Sequence, residues 1–348
     1  MNKEQEIEMQ KLIKELNVHI RNYYVLDKPT ISDVEYDRLY DKLQALERET
    51  GVVYPNSPSN RVGGEILKGF KKFNHDVPLF SLDKCNSYEE LENFVIGVKK
   101  DFPDAEFSVE YKFDGLSIVV EYENGLFKRA GTRGNGKVGE DVTEQVKTIK
   151  SVPLEIPFKG KLIVQGEGLI SLSNLEKYNK TAAEPLKNAR NAVAGAIRNL
   201  DPKVTASRNL DWIVYSINYI EGKKFKTQKE SIEFLKENGF KISDFFHIEK
   251  DVKNIEKLID EVDKIKSSLD ILMDGMVIKT NQIAYREEMG YTAKFPRWAI
   301  AYKFEAQEIS TMLEDVVWQV GRTGKITPIG IVEPVELAGA TIKRAPLN

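Results

Sequence analysis

The sequence predicts an α+β protein built in three successive parts: a small helical domain over 1–68, a mixed α and β domain over 69–312, and the start of a β-rich domain over 313–348. Three patterns carry this reading. Apolar residues recur at helical spacing up to about residue 50, strand-like and helix-like segments then interleave to about 310, and β-branched residues dominate after that.

In the first part, Ile7, Leu12, Ile13, Leu16 and Ile20 fall near helical spacing. Asp27-Lys28-Pro29-Thr30 interrupts the pattern. Ser32-Asp33-Val34-Glu35 then has the form of a capping box, with Ser32 capping and Glu35 reaching back. Tyr36, Leu39, Leu43 and Leu46 continue that helix and Gly51 ends it. From 52 to 75, Pro, Gly, Ser and Asn accumulate, which predicts a linker or an extended wrap.

In the second part the expected strands are 107–113, 116–122, 126–132, 161–169, 211–219, 275–280 and 298–304, with Asn124-Gly125 as a hairpin turn. Expected helices lie near 87–100, 140–149, 172–180, 188–198, 228–238 and 253–267. The β-rich stretch that stops at Asn348 is too short to close a domain, so the chain is expected to be a fragment.

A length of 348 residues suits two or three domains with a sizeable core. The net charge of -3 argues against a uniformly basic nucleic-acid coat, though not against a local basic patch. Cys85 is the single cysteine, which excludes an internal disulfide and a cysteine-rich zinc site in this span and suits a reducing compartment. No apolar stretch reaches bilayer length, and the polar, acidic N-terminus is unlike a signal peptide. A soluble, cytoplasmic protein with no membrane partner is expected.

The chemistry concentrates on lysines in apolar strands: Lys112 in Lys112-Phe113-Asp114-Gly115, Lys279 in Asp274-Gly275-Met276-Val277-Ile278-Lys279, and Lys303 in Ala301-Tyr302-Lys303-Phe304. Strand alternation puts Phe107, Val109, Tyr111 and Phe113 on one face, and Ser108, Glu110, Lys112 and Asp114 on the other. Gly275, Val277 and Lys279 share a face, as do Ala299, Ala301 and Lys303. Three such lysines are costly to bury alone, so they suggest one anionic ligand such as a nucleotide phosphate, with one amine as nucleophile. The alternative is that each snorkels to solvent from a strand end. Two glycine patterns are decoys. Gly134-Asn135-Gly136-Lys137-Val138-Gly139 fits a dinucleotide fingerprint, and Gly131 to Lys137 fits a phosphate loop until Val138 replaces the required hydroxyl residue. The strand before them is polar, so a glycine-rich turn that lets Arg133 approach a phosphate is the plainer reading.

Together these residues resemble the NAD-dependent DNA ligases of bacteria. The resemblance runs through Lys112-Phe113-Asp114-Gly115, Thr132-Arg133-Gly134, Gly139-Glu140-Asp141, Gly166-Glu167, Asn188-Ala189-Arg190-Asn191, the strand that ends at Lys279, and Pro296 to Phe304. Ser57 to Gly63 and Ser81-Leu82-Asp83 also match. It implies an ATP-grasp-like nucleotidyltransferase domain of antiparallel sheets with flanking helices, preceded by a helical domain that binds nicotinamide mononucleotide. The segment from Val316, with Gly321-Arg322-Thr323-Gly324, resembles the opening of an OB-fold. Departures are Tyr24, where some members carry histidine, and Gly168-Leu169-Ile170, where Val-Phe is commoner.

By this resemblance Lys112 takes AMP from NAD and releases nicotinamide mononucleotide, with magnesium or manganese assisting and no residue assigned as a metal ligand. Arg133, Lys279 and Lys303 are the implied phosphate cations, and Asp114 lies beside them. Glu167 holds the ribose. Glu110, Ser81, Leu82 and Tyr215 surround the adenine. Tyr23, Tyr24, Asp33, Val34, Glu35, Tyr36 and Asp37 are implied for the nicotinamide half. Asp33, Tyr36 and Asp37 share a helix face by spacing. Read without the resemblance, Asp33 complements a helix N-terminus and Tyr36 fills a core. Arg190, Arg198 and Arg208 are DNA-contact candidates, or else a solvated basic face. Nicked duplex DNA is the implied partner of a monomeric enzyme, and this fragment is expected to adenylate itself without sealing nicks. Rival readings are a nucleotidyltransferase that uses ATP or GTP, and a non-catalytic DNA-binding or NAD-sensing relative.

Overall fold

A computed structural model describes residues 1–61, 67–305, 308–321, 324–337 and 340–347. Val62, Gly63, Arg322 and Thr323, which belong to motifs quoted above, lie outside them.

The helical domain is the pair α1 (Lys3–Tyr24) and α2 (Asp33–Thr50). Each starts with a reciprocal cap, Asn2 with Gln5 and Ser32 with Glu35. Such caps satisfy two of the otherwise orphaned N-terminal N–H groups. Gly51 ends α2 at φ +69°, a conformation glycine adopts without steric cost. The pair packs through Met9, Leu12, Ile13, Leu16 and Leu43, with Tyr36 and Tyr40 against the edge. The expected linker is an ordered wrap up to residue 61. Ser57 Oγ donates to buried Glu47 at 2.5 Å. The buried Arg61 guanidinium donates to the carbonyls of Lys147, Ile149 and Val152 at 3.2, 2.9 and 2.8 Å. That one side chain ties the wrap to the domain that follows.

The central domain runs β1 (Lys72–Asn74), β2 (Asp83–Cys85), α3 (Tyr88–Asp101), β3 (Phe107–Phe113), β4 (Leu116–Glu123), β5 (Leu126–Thr132), β6 (Val138–Glu140) and α4 (Thr143–Lys147). It continues with β7 (Leu162–Leu169), α5 (Leu172–Asn179), α6 (Ala189–Ile197), α7 (Pro202–Ser207), β8 (Asp211–Ile220), α8 (Gln228–Glu237), β9 (Phe246–Glu249), α9 (Val252–Ile265), β10 (Met273–Thr280), α10 (Ile283–Met289) and β11 (Ala299–Lys303). Two sheets dominate, in the orders β2-β11-β10-β3-β9 and β5-β4-β7-β8. All their pairings are antiparallel except β11 with β2.

Each sheet buries one face under helices. Leu91, Val95 and Val98 of α3 and Ile255, Ile259 and Val262 of α9 cover Phe107, Val109, Met276 and Ile278. Each such side chain contributes roughly 1.5–3 kcal/mol when fully buried. Ala192, Val193, Ala196 and Ile197 of α6, with Trp212 and Phe240, fill the core of the other sheet. Phe113, Leu169 and Ile213 join the sheets where β3 passes into β4. The opposed inner faces form a cleft.

The predicted hairpin turn is present, with Asn124 and Gly125 at φ 52° and 79°, the pattern of a two-residue turn that suits strand twist. The helix expected over 140–149 is confined to Thr143–Lys147, because Val138–Glu140 pairs with β1 instead. The helix expected to reach 267 closes as a tighter turn over Lys266–Ser268. Three further strands, β12 (Leu313–Val320), β13 (Ile326–Leu337) and β14 (Ala340–Pro346), form an antiparallel meander. No helix among the described residues is long and apolar enough to cross a membrane.

Candidate active site

The cleft encloses about 1350 Å³, room for a ligand larger than a single nucleotide base. Register explains why the lysines meet there. Gly275 of β10 lies opposite Lys112 of β3 on one side and Lys303 of β11 on the other. Two residues on, Val277 lies between Glu110 and Ala301; two further, Lys279 lies between Ser108 and Ala299. Alternate residues of a strand share a face, so all three lysines and Glu110 point into the cleft. A side chain at position 275 would meet the Tyr302 carbonyl at 2.0 Å. Glycine there lets the strands close beside the two amines.

The lysines do not converge on one point. Lys112 Nζ donates to Asp274 at 2.7 Å, and Lys303 donates to the other oxygen of the same carboxylate. Lys279 donates to Glu110 at 2.7 Å. The first cluster is partly open, with Lys112 and Asp274 side chains 24% and 29% exposed; the second is closed, at 10% and 8% for Lys279 and Glu110. The snorkelling alternative does not describe Lys279, whose ammonium is buried.

Burial lowers the pKa of Lys112, and the nearby Lys303 charge lowers it further, while Asp274 opposes both. Burial pushes Asp274 up, but hydrogen bonds from both lysines outweigh it and leave the pKa lowered. The result is a lysine more readily deprotonated than usual, held by a carboxylate that stays ionised. Burial pushes Glu167 up to about 7, against the pull of Lys112 and the Gly115 N–H. Burial also lowers Lys279, with Glu110 opposing, and raises Tyr215.

Ser81, Leu82, Asp114, Arg133, Glu167 and Tyr215 line the same cleft, as do Arg190 and Arg198. Arg133 Nη1 donates to Ser81 Oγ at 3.2 Å. The glycine pattern after it is a turn between β5 and β6, with Gly134 and Gly136 at φ 55° and 89°. It follows the second arm of a hairpin, as the plainer reading requires. Arg190 pairs with Asp114 at 3.3 Å and Arg198 with Glu140 at 2.9 Å.

Comparison with known proteins gives the same order of parts. Residues 67–307 match the NAD-dependent DNA ligase adenylation domain. Residues 2–63 match the DNA ligase-like, N-terminal NAD+-binding domain, and 310–348 the NAD-dependent DNA ligase OB-fold domain.

The chain belongs to the NAD-dependent DNA ligase family.

Curated relatives named DNA ligase, from Alkaliphilus metalliredigens and Alkaliphilus oremlandii, are 54% and 51% identical to it. Another, from Finegoldia magna, is 49% identical. The matches cover 97–98% of this chain but 52–53% of those proteins, so the chain spans about half their length.

Other ligase-motif residues lie outside the cleft walls. Tyr23 is 49% exposed and rests against Tyr24 with ring centroids 4.6 Å apart. Tyr24 accepts a hydrogen bond from Lys150 at 2.9 Å. Asp33, Val34 and Asp37 are exposed on α2, and Glu35 is engaged by its own cap. Tyr36 packs beside Tyr40, and burial pushes its hydroxyl up to about 12. Arg208 donates to the Ala192 carbonyl and lies over the Tyr178 ring.

Two sets of cleft residues received no role in the sequence reading. Asp274 was quoted only as part of a motif. A β-bulge between Met273 and Gly275 takes it out of the regular pairing with β3, so strict alternation misplaces it. Gln228 starts α8 and Arg286 lies inside α10, and no local pattern links them to Glu110.

Proposed function

We propose that this chain carries out the NAD-dependent adenylation step of a DNA ligase. The observation that carries the proposal is the row Lys112–Gly275–Lys303 with Asp274 joining its two amines. Lys112, deprotonated, attacks the α-phosphorus of NAD. A nitrogen–phosphorus bond forms, the bond to the nicotinamide mononucleotide oxygen breaks, and that leaving group departs with the electron pair. The nitrogen sheds its remaining extra proton, leaving AMP on the lysine as a phosphoramidate. Lys303 and Arg133 supply positive charge where the phosphate oxygens gain negative charge. Glu167 receives the ribose hydroxyls. Lys279, expected at the phosphate with Arg133 and Lys303, is held on Glu110 instead, so we assign it with Glu110, Tyr215, Ser81 and Leu82 to the adenine.

Among the described residues no group of three or more His, Cys, Asp or Glu side chains could hold a metal ion by itself. Magnesium fits differently, because it usually takes one or two carboxylates and completes its shell with water and substrate phosphates. Asp114, which lines the cleft with Lys112, is the oxygen donor we assign to it. When bound, it would neutralise phosphate charge.

We assign the nicotinamide half of NAD to Tyr23, Tyr24, Asp33, Val34, Glu35, Tyr36 and Asp37, where tyrosine rings suit a pyridinium and the exposed carboxylates its charge. Since these lie outside the cleft walls, holding both halves at once requires the helical domain to close over the cleft. The domain limits 1–68, 69–312 and 313–348 belong to the same proposal. In the full-length protein AMP passes to the 5′-phosphate of nicked duplex DNA, with Arg190, Arg198 and Arg208 on the DNA side, and the 3′-hydroxyl then displaces it. We assign only self-adenylation to residues 1–348, acting as a cytoplasmic monomer.

Incubation in turn with NAD labelled in its adenylate half, and with ATP and GTP labelled at the α-phosphate, tests the assignment. NAD alone should leave covalent label; label from ATP and none from NAD would overturn it.

A further inference from the structure

Behind Glu110 and Lys279 lies a chain of buried polar groups that the adenylation chemistry does not itself use. Gln228 Nε2 donates to Glu110 Oε1 at 3.2 Å and to the Tyr215 carbonyl at 3.2 Å. Ser108 Oγ donates to the same Glu110 oxygen at 2.7 Å. Gln228 Oε1 accepts from Arg286 Nη1 at 3.0 Å. Arg286 is fixed in turn: its Nε donates to the Thr280 carbonyl at 2.5 Å, and its guanidinium carbon lies 4.5 Å from the Trp298 ring centroid.

This chain has a direction. A guanidinium only donates, so the Gln228 oxygen must face Arg286 and its NH₂ must face Glu110. Glu110 Oε1 is then filled by two donors, whereas among the described residues Oε2 accepts from Lys279 alone and keeps a lone pair. Lys279 gives one hydrogen to Glu110 and a second, at 3.4 Å, to the Tyr215 carbonyl. One ammonium hydrogen is left. An acceptor and a donor therefore stand side by side at the cleft wall. That pair complements a 6-aminopurine, which offers an exocyclic N–H donor beside the ring N1 acceptor. A 6-oxopurine offers an acceptor and a donor in the opposite order, and both meet their like.

Gln228 also stands between two opposite charges. Arg286 Nη2 is buried and has no hydrogen-bond partner among the described residues. Without the amide, that guanidinium would draw the Glu110 carboxylate away from Lys279.

We propose that Gln228 and Arg286 are positioning residues that set the donor–acceptor polarity of Glu110 and Lys279 and thereby the preference for adenine over 6-oxopurines. The inference rests on the adenine assignment made above and adds the residues that enforce it.

The test measures binding of AMP and IMP to the full chain by calorimetry, and self-adenylation from NAD and its hypoxanthine analogue. The wild-type chain should prefer the amino form in both. Gln228→Leu should cut the preference at least about tenfold, mainly by weakening the amino ligand, while the limiting single-turnover rate changes less than about threefold. Arg286→Met should act in the same direction. Arg286→Lys, which keeps the charge and folds more readily, should retain part of the preference. Ser108→Ala, which leaves the Arg286–Gln228 link intact, should retain most of it. An unchanged AMP-to-IMP ratio in folded Gln228→Leu or Arg286→Lys overturns the proposal, and so does a wild-type chain with no preference. If the wild-type chain takes no adenylate from NAD yet Gln228→Leu abolishes an AMP preference, the adenylation reading fails and this one stands.

Discussion

The cleft and the α2 face differ in how their polar groups are held. In the cleft each of the three strand lysines touches a carboxylate: Lys112 and Lys303 meet on Asp274, and Lys279 meets Glu110. On α2, Asp33 and Asp37 stand exposed. Residues three or four apart on a helix share a face, but the helix alone does not aim them at anything. The cleft is thus organised for a ligand before one arrives, and the α2 face becomes a site only against a second surface. Substitutions should separate the two regions.

The largest effect is expected at Asp274. Asp274→Asn keeps the shape but removes the charge that joins two lysines, and the adenylation rate should fall roughly 100-fold. Single-turnover mass measurements across pH check this and add a sign. The nucleophile must be neutral, so the rate rises with pH as Lys112 loses its proton. Asp274 raises the Lys112 pKa and Lys303 lowers it. The midpoint should therefore move down in Asp274→Asn and up in Lys303→Gln.

Next comes Arg61, a buried tie between the wrap and the domain that carries the cleft. Arg61→Ala leaves three backbone carbonyls without their donor. It should lower stability by about 2–3 kcal/mol, read by denaturant unfolding, with faster proteolysis of the α1–α2 pair. Equal stability would show that the wrap is not anchored there.

On the helical side, Asp33→Ala and Tyr36→Ala should raise the KM for NAD about tenfold. Neither should change AMP binding to the cleft, measured by calorimetry. Loss of AMP binding would remove the distinction between the regions.

The smallest effect concerns Glu167. Burial holds its proton up to about 7 in the fold, against an ordinary value of 4.5. The unfolded chain releases that proton first, so wild-type stability falls as pH rises between those values and the penalty is complete above about 7. Glu167→Gln removes it. The variant should be more stable than wild type at pH 8, by about 1 kcal/mol after allowing for partial solvent contact, and equal to it at pH 4. Thermal unfolding at the two pH values checks this.

Much of the cleft was legible because strands have a period of two. Parity put Ser108, Glu110 and Lys112 on one face and Gly275, Val277 and Lys279 on another, and register brought those faces together. Phe113 is the exception within its set, since it leaves the α3–α9 core to join Leu169 and Ile213. Asp274 escaped because a bulge breaks parity at that residue. Gln228 and Arg286 escaped because the link from Arg286 to Glu110 spans distant segments through buried hydrogen bonds, and nothing local encodes such a path. The cap and the end of α2 were legible in Ser32, Glu35 and Gly51. β6 and β9 were not, because strands of three or four residues carry too few alternations to show a period. α7 did carry a start signal, Asp201 before Pro202.

The most direct test of the account is the intact mass of the chain, with peptide mapping, after incubation with NAD and magnesium. The expected result is the gain of one adenylate, located on Lys112 and absent from Lys112→Ala. An unchanged mass, or an adenylate on any other residue, would contradict it.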